Sequence, residues 1–364
     1  MLKLRRGTVV SVVPLVVEVG GEHRPAWADE TLIGSPAEGD EVIVNVEALD
    51  LDLGSGGFDL VHVNLTRGLD APGAEGSHVM KLNYTSLQHP VDPIEVEVDA
   101  PLEGGSGEGR AAFSLPTLVL SLHGHLAPAA WAAAEAAPGL RVGFIQQAGA
   151  ALPGGLSRDV ATLRERGLLA GHVTVGPAYG AEHEAISLVG ALDAAARGLG
   201  WDAGLVAPGP GVLGSASRYG HGGMAALEAA HAALALGLPT LVCPRLSSSD
   251  PRPRHRGLSH HSATVLELLL APVRVPVPEA ELEGWPLLAA DAPEGGSPQA
   301  ALDSLVEICS GRHDIAVERI DLEGYAASGL PDRTMGRSLE EDPLFFAAPL
   351  AAGRALAGAV GEGP

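Results

Sequence analysis

Only two cysteines, Cys243 and Cys309, occur in 364 residues, which excludes a disulfide framework. Both sit in apolar runs, Cys243 in a strand-like one and Cys309 in a helix-like one, so buried thiols are expected. Lysine is nearly absent, with Lys3 and Lys81 its two occurrences and arginine supplying the other basic charge. Together with 48 glycines and abundant alanine, that bias reads as genomic base composition. A formal net charge of -22 excludes the broad basic face that nucleic acid or an anionic membrane requires. No apolar run reaches the ~18 residues of a membrane span. The amino end carries charges, lacks the apolar core of a signal peptide and turns directly into strand-like sequence, so a cytoplasmic protein is expected.

The length allows two or three domains. Residues 1–100 are expected to form a small β-barrel domain. Short β-branched runs recur at Thr8–Val13, Leu15–Val19, Glu41–Val46 and Leu60–Leu65, punctuated by Gly20-Gly21, Glu38-Gly39-Asp40 and Gly54-Ser55-Gly56-Gly57. Residues 101–114 are glycine-rich and read as a flexible linker. From 115 to 364 near-continuous apolar strands alternate with alanine-rich helices, the pattern of a Rossmann-like, mostly parallel sheet covered by helices. Strands are expected at Thr117–Leu122, Arg141–Ile145, His172–Val175, Ala203–Ala207 and Pro239–Pro244. Helices are expected at Pro128–Ala137, Ser157–Gly167, Glu182–Arg197 and Gly223–Leu236. A sixth strand, Val273–Val277, carries a proline and is expected at an edge. A second Pro/Gly-rich connection spans 279–300, and the tail adds a helix at Pro298–Ser310, a strand at Ile315–Val317 and a helix at Leu344–Ala357.

One stretch carries most of the chemistry. From Asp250 to Ser262 the chain packs three arginines, three histidines and one aspartate into thirteen positions of an acidic protein. It follows the Pro239–Pro244 strand, so it belongs at a strand's carboxyl end, where open α/β sheets bind ligands. Arg252, Arg254 and Arg256 alternate with prolines and a histidine. Proline stiffness predicts an extended segment with three guanidinium groups on one side, suited to a phosphate or carboxylate. The plainer reading is pairing with the 45 carboxylates of the chain.

Other strand ends add candidates. His123-Gly124-His125 places two imidazoles at i and i+2, which in extended backbone point the same way and can share a metal. The plainer reading is a surface or capping pair. With Asp250 and His255 they form the candidate ligand set for a divalent metal such as Zn or Mg. Gly209, Gly211 and Gly214 lie in a strand-to-helix turn whose backbone N–H groups can approach an anion; the alternative, a tight turn that needs positive φ, is the better reading unless the arginines lie nearby. It is neither a Walker A motif nor a dinucleotide fingerprint. Glu184 beside His183 is a candidate general acid or base, or an ordinary first-turn helix carboxylate. No Gly-x-Ser-x-Gly elbow surrounds Ser215, Ser217, Ser259 or Ser262, so covalent catalysis is the lesser expectation.

End to end, the chain resembles the bacterial family called domain of unknown function 3866. The pieces are Leu4–Val10, Gly39-Asp40, Leu53–Gly57, His78–Gln88, Gly149–Pro153, Gly209-Pro210-Gly211, the Asp250–His261 run, Met335-Gly336-Arg337 and Glu341-Asp342-Pro343. The resemblance implies a shared two-part architecture and a bacterial cytoplasmic origin, and it implies no activity. His78–Tyr84 and Met335–Arg337 either fold back onto the site or pack an interface, and packing is expected for both.

The expectation is an enzyme, a hydrolase or transferase, acting on a small phosphorylated or anionic molecule at the carboxyl edge of the parallel sheet. His123, His125, Glu184, His260 and His261 would do the chemistry, and Gly209, Gly211, Gly214, Arg245, Arg252, Arg254 and Arg256 would bind the ligand. The five histidines His123, His125, His255, His260 and His261 are expected to converge. The alternative is a non-catalytic sensor or adaptor for a nucleotide-like ligand, whose barrel contacts a protein partner. No nucleic-acid or membrane partner is expected, and oligomeric state is left open, a homo-oligomer included.

Overall fold

The computed structural model describes residues 1–53, 56–69, 73, 76–99, 114–279 and 295–361. The expected linker lies outside them except for Ser114, as do Gly54-Ser55 and residues 280–294 of the second connection. The chain divides into two compact units, Met1–Asp92 and Pro93–Pro364.

In the first unit β1 (Leu4–Val12), β2 (Leu15–Val19), β3 (Glu22–Trp27), β4 (Glu41–Asn45) and β5 (Asp59–Asn64) close into a barrel in the order β1-β2-β3-β5-β4. Period-2 alternation turns Val42 and Val44 of β4 inward, where they meet Val9, Val17, Ile33 and Val61. Sequence reading misses β3, because His23, Arg24 and Pro25 carry no strand propensity. Tertiary pairing makes it a strand: it runs antiparallel to β2, and the parallel pairs Ala26–Asp59 and Trp27–Leu60 close the barrel. Two short helices, α1 (Glu30–Ile33) and α2 (Glu47–Asp50), and a hairpin of β6 (Val79–Lys81) and β7 (His89–Val91) complete this unit.

The second unit opens with α3 (Ile94–Asp99). A sheet follows, made of β8 (Thr117–Leu120), β9 (Val142–Gln147), β10 (Gly171–Val175), β11 (His183–Ala185), β12 (Ala203–Pro208), β13 (Thr240–Cys243), β16 (Arg274–Pro278) and β17 (Asp314–Glu318). All eight are parallel, in the order β11-β10-β9-β12-β8-β13-β16-β17. Between β13 and β16 the two-residue strands β14 (Leu246–Ser247) and β15 (Gly257–Leu258) pair as a hairpin. The crossover helices include α4 (Leu126–Ala136), α5 (Arg158–Glu165), α6 (Leu188–Arg197), α7 (Ala225–Ala235) and α8 (His260–Leu268). The helix Pro343–Ala359 is apolar nearly all round and is buried accordingly, against α4.

Two expectations change. Residues 182–187 are not helical: the Ser187 hydroxyl accepts the Gly190 N–H and starts α6 there, which frees His183–Ala185 to pair with β10. The proline-bearing strand β16 is interior, between β13 and β17. Pro276 and Pro278 each lack a donor, and β16 keeps only the Leu241–Arg274 register pair with β13 against five pairs with β17.

The boundary at Asp92 precedes the linker because α3 belongs to the sheet unit. Ile94 is buried in its core, and Glu95 Oε1 accepts the backbone N–H groups of Ile186 at 2.9 Å and Ser187 at 3.0 Å. Ile94→Ala is expected to cost about 2–5 kcal/mol and Glu95→Ala about 1–3 kcal/mol in denaturant unfolding of the full chain. Both losses should fall on the transition of the α/β unit. A shift confined to the barrel, read by Trp27, would contradict this boundary.

Candidate functional site

The arginine-histidine stretch lies where it was expected, at the carboxyl end of β13, but it is not extended. It doubles back as the β14–β15 hairpin, with Pro253–His255 as a 3-10 turn between the strands. The guanidinium groups therefore do not share a side. Arg252 grips Asp250 with Nε and Nη2, both at 2.9 Å, Arg256 donates Nε to the Asp250 carbonyl at 2.9 Å, and Arg254 stays exposed.

Asp250 is the centre of this arrangement. Its carboxylate is fully buried and receives Arg245 at 3.0 Å and Arg252 at 2.9 Å, with Arg337 3.5 Å away. Burial opposes its ionisation. The hydrogen bonds and charge of Arg252 and the charge of Arg245 outweigh that and hold the carboxyl well below the usual range. Arg337 also reaches Asp342 at 3.0 Å, and Asp342 accepts Ser247 Oγ at 2.7 Å and the Ser248 N–H at 2.6 Å. The Met335–Arg337 piece thus folds back onto the hairpin, where simple packing was expected. Its Met335 sulfur lies 3.7 Å from the Nη2 atoms of both Arg245 and Arg252.

Beside the clasp lies a nest of imidazoles. Ser259 caps α8, accepting the His261 N–H at 3.3 Å, and its hydroxyl is 2.7 Å from His255 Nδ1. The cap sets His260 and His261 in the first turn, with their rings 4.3 Å apart and nearly perpendicular. His255 stacks on His260 at 5.0 Å and meets His261 edge-on at 4.8 Å. His221, which the sequence analysis does not single out, stacks on His261 at 3.8 Å.

All four are biased toward the neutral form. Burial, then the charges of Arg245 and Arg252, push His255 down to about 3. Burial, then His221, His255 and Arg245, push His261 down to about 2. Burial also lowers His260 and His221. The start of α8 disfavours imidazolium in the same direction. Neutral imidazoles keep a lone pair, the state in which they bind metals.

His123 and His125 do not join this nest. They lie in a 3-10 turn, His123–His125, where residues two apart stand about two-thirds of a turn from each other. His123 Nε2 is 2.6 Å from Ser157 Oγ and its Nδ1 is 3.2 Å from the Pro208 carbonyl. His125 packs on Phe345 at 4.8 Å, with Nδ1 3.6 Å from Cys243 Sγ. His172, also passed over by sequence reading, stacks on Phe144, which meets His123 edge-on. Both cysteines are buried as expected.

The remaining candidates are spread out. Glu184 sits in the outermost strand β11, five strand spacings, or about 24 Å, from β13. Its carboxylate accepts Thr174 Oγ1 at 2.7 Å and the Gly180 N–H at 2.6 Å. Gly209 is held by close approach: a Cβ there would lie 2.3 Å from the Ala151 carbonyl oxygen. The Gly209–Gly214 turn does not open directly into a helix. It runs on to Gly222–Met224, the 3-10 turn that precedes α7, and Gly211 takes positive φ. Gly214 bridges to His221, and a Cβ on it would lie 3.8 Å from the His261 ring.

A doubly covered parallel sheet with a neutral imidazole nest beside an arginine-clasped carboxylate defines an α/β protein with a polar site at a strand's carboxyl end. The chain belongs to the family described as Protein of unknown function (DUF3866), whose family model matches residues 25–353. No curated protein and no solved structure matches it. No described helix is long and apolar enough to cross a membrane.

Burial lowers His123 and pushes His125 and His172 down to about 3. Their folded values lie below the unfolded one, so their stabilisation is complete above about pH 6.5 and is lost as pH falls toward 3. Each should remove up to about 1.4 kcal/mol of stability per pH unit below 6.5. Urea midpoints of metal-free protein at pH 7.5, 6.5 and 5.5 check this. His172→Gln should reduce the proton uptake on unfolding by one, and an unchanged pH slope would contradict it.

Proposed function

We propose that the protein is a metal-dependent hydrolase of a small anionic molecule, phosphate-bearing in the first instance, working at the carboxyl end of β13. One observation carries the reading. The ligand nitrogens of His255, His260 and His261 lie within 4.8 Å of one another, and His260 Nε2 and both ring nitrogens of His261 are buried without a hydrogen-bond partner. A buried, unsatisfied polar atom costs about 1–3 kcal/mol. Several in one nest call for a common partner, and neutral imidazoles attract a cation there.

The donor set selects among metals. Imidazole nitrogens suit zinc, whereas magnesium asks for oxygen ligands, and Asp250 is already occupied by arginines. Three histidines leave a fourth position open, the arrangement of hydrolytic rather than closed structural zinc sites. Bound zinc would bring water to a pKa of about 7 and supply a hydroxide nucleophile at neutral pH. Arg254 is exposed, lowers the proton affinity of His260 by its charge, and makes no hydrogen bond or ion pair among the described residues. It is the arginine left to receive the anion, while Arg245, Arg252 and Arg256 hold the hairpin.

Metal analysis should find zinc that His260→Ala and His261→Ala abolish. Turnover on a phosphate-ester panel should depend on it. Arg254→Ala should raise KM by roughly ten- to hundredfold, the value of one charged hydrogen bond, with unchanged stability. Arg252→Ala should instead lower stability by about 1–3 kcal/mol. Zinc and anion retained without turnover would be the behaviour of a sensor and would overturn the hydrolase reading.

A further inference from the structure

We propose that Ser157 and His123 form a second reactive centre, a base-activated serine that takes an acyl group from a small carboxylic ester. The pair stands apart from the imidazole nest, and its warrant is the tautomer of His123. Nδ1 lies 3.2 Å from the Pro208 carbonyl oxygen, which can only accept, so Nδ1 carries the proton and Nε2 the lone pair. Ser157 Oγ, 2.6 Å from Nε2, therefore donates to it. A hydroxyl donating to an imidazole whose other nitrogen is held by a third group is the arrangement of a nucleophile and its general base. Ser157 also caps α5, accepting the Val160 N–H at 3.1 Å. The cap fixes Oγ and leaves its second lone pair for attack.

The sheet places this pair where a ligand belongs. His123 follows β8, Pro208 ends β12, and Ser157 begins α5 after β9, three strands that are neighbours in the sheet. The chain leaves β8 for β9 in one direction and β12 for β13 in the other. Adjacent strands whose connections diverge flank the crevice in which open α/β sheets bind ligands. The N–H groups of Arg158 and Asp159, the first of α5, have no carbonyl within the helix to bond and no other partner among the described residues. They are the donors left for an oxyanion.

Two further polar atoms, Gln146 Oε1 and His172 Nε2, are buried without a hydrogen-bond partner. Phe144 links them to the pair: it stacks on His172 at 5.0 Å, meets His123 edge-on at 6.1 Å, and shares its face of β9 with Gln146. An ester that carries a hydroxyl or amide would satisfy them. Ser157 and His123 keep 5% and 6% exposure, and a Cβ on Gly155 would meet nothing within 4 Å, so the turn before Ser157 borders open space.

In the step, Ser157 Oγ bonds to the ester carbonyl carbon as its proton passes to His123 Nε2. The carbonyl oxygen becomes an oxyanion, then reforms the double bond as the carbon–oxygen bond to the alcohol breaks. The alcohol leaves with the proton from His123, and water repeats the sequence on the acyl-serine to release the acid. Burial keeps His123 neutral, while the charge of Asp159 and the Pro208 carbonyl favour the imidazolium that the step creates.

The probe is an alkyl fluorophosphonate, whose fluoride leaves as a serine oxygen bonds to phosphorus. It is added to the full-length protein in the presence of a chelator, so that failure of the zinc site cannot affect the result. Intact mass and peptide mapping should find one adduct per chain, on Ser157, and none after heat denaturation. Ser157→Ala should remove it. His123→Gln keeps a hydrogen-bonding side chain without the base and should slow labelling by roughly 100-fold or more. If either variant does not fold, the wild-type peptide map decides alone. No adduct, an adduct on another residue, or labelling of Ser157 as fast in folded His123→Gln as in wild type would overturn the proposal.

Discussion

The carboxylate of Asp250 is the anchor from which the site is built. It is fully buried, and an isolated buried carboxylate costs several kcal/mol, so it must be clasped to exist. Arg245 and Arg252 clasp it from its own hairpin, and Arg337 approaches from the carboxy-terminal segment. Arg337 also binds Asp342, whose carboxylate accepts from Ser247 and Ser248. One ionic network thus joins the end of β13 to the start of the long helix Pro343–Ala359. The hairpin's shape follows: two arginines turn inward to Asp250, and Arg254 is left outside.

That division of labour separates the arginines that hold the hairpin from the one left exposed. Alternating Arg-Pro-Arg sequence looks like a set of equivalent anion donors, yet each arginine meets a different partner. Arg252 holds a side chain and Arg256 a backbone carbonyl, while Arg254 has neither. The same positive charge, together with burial, keeps the neighbouring histidines neutral. In the proposed reading the neutral imidazoles would hold the metal through their lone pairs and Arg254 would receive the anion through its charge.

Strand order decides which candidates meet. β8 and β13 are neighbours, so His123–His125 and the arginine hairpin leave the sheet close together. They nevertheless serve different surroundings, because the 3-10 turn sends His123 toward Ser157 and His125 toward Phe345. Glu184 is separated by the width of the sheet. The loop between β12 and α7 comes the other way, from β12 across β8, and delivers His221 onto His261.

The sequence by itself determined the barrel, the doubly covered parallel sheet and the location of the principal polar segment. Period-2 alternation and continuous apolar runs are local signals of burial, and they survive whatever the long-range contacts are. Strands β3 and β11 were not legible, because Glu22–Trp27 and His183–Ala185 lack strand propensity and are strands only through their neighbours. The membership of the site was decided by tertiary structure alone. Whether His123 or His221 stands beside His261, and whether Arg337 reaches Asp250 across 87 positions, depends on turn geometry and on long-range contacts. Side-chain chemistry names the candidates, but a metal or an anion is bound by atoms that share a few ångströms of space, and only the folded chain sets those distances.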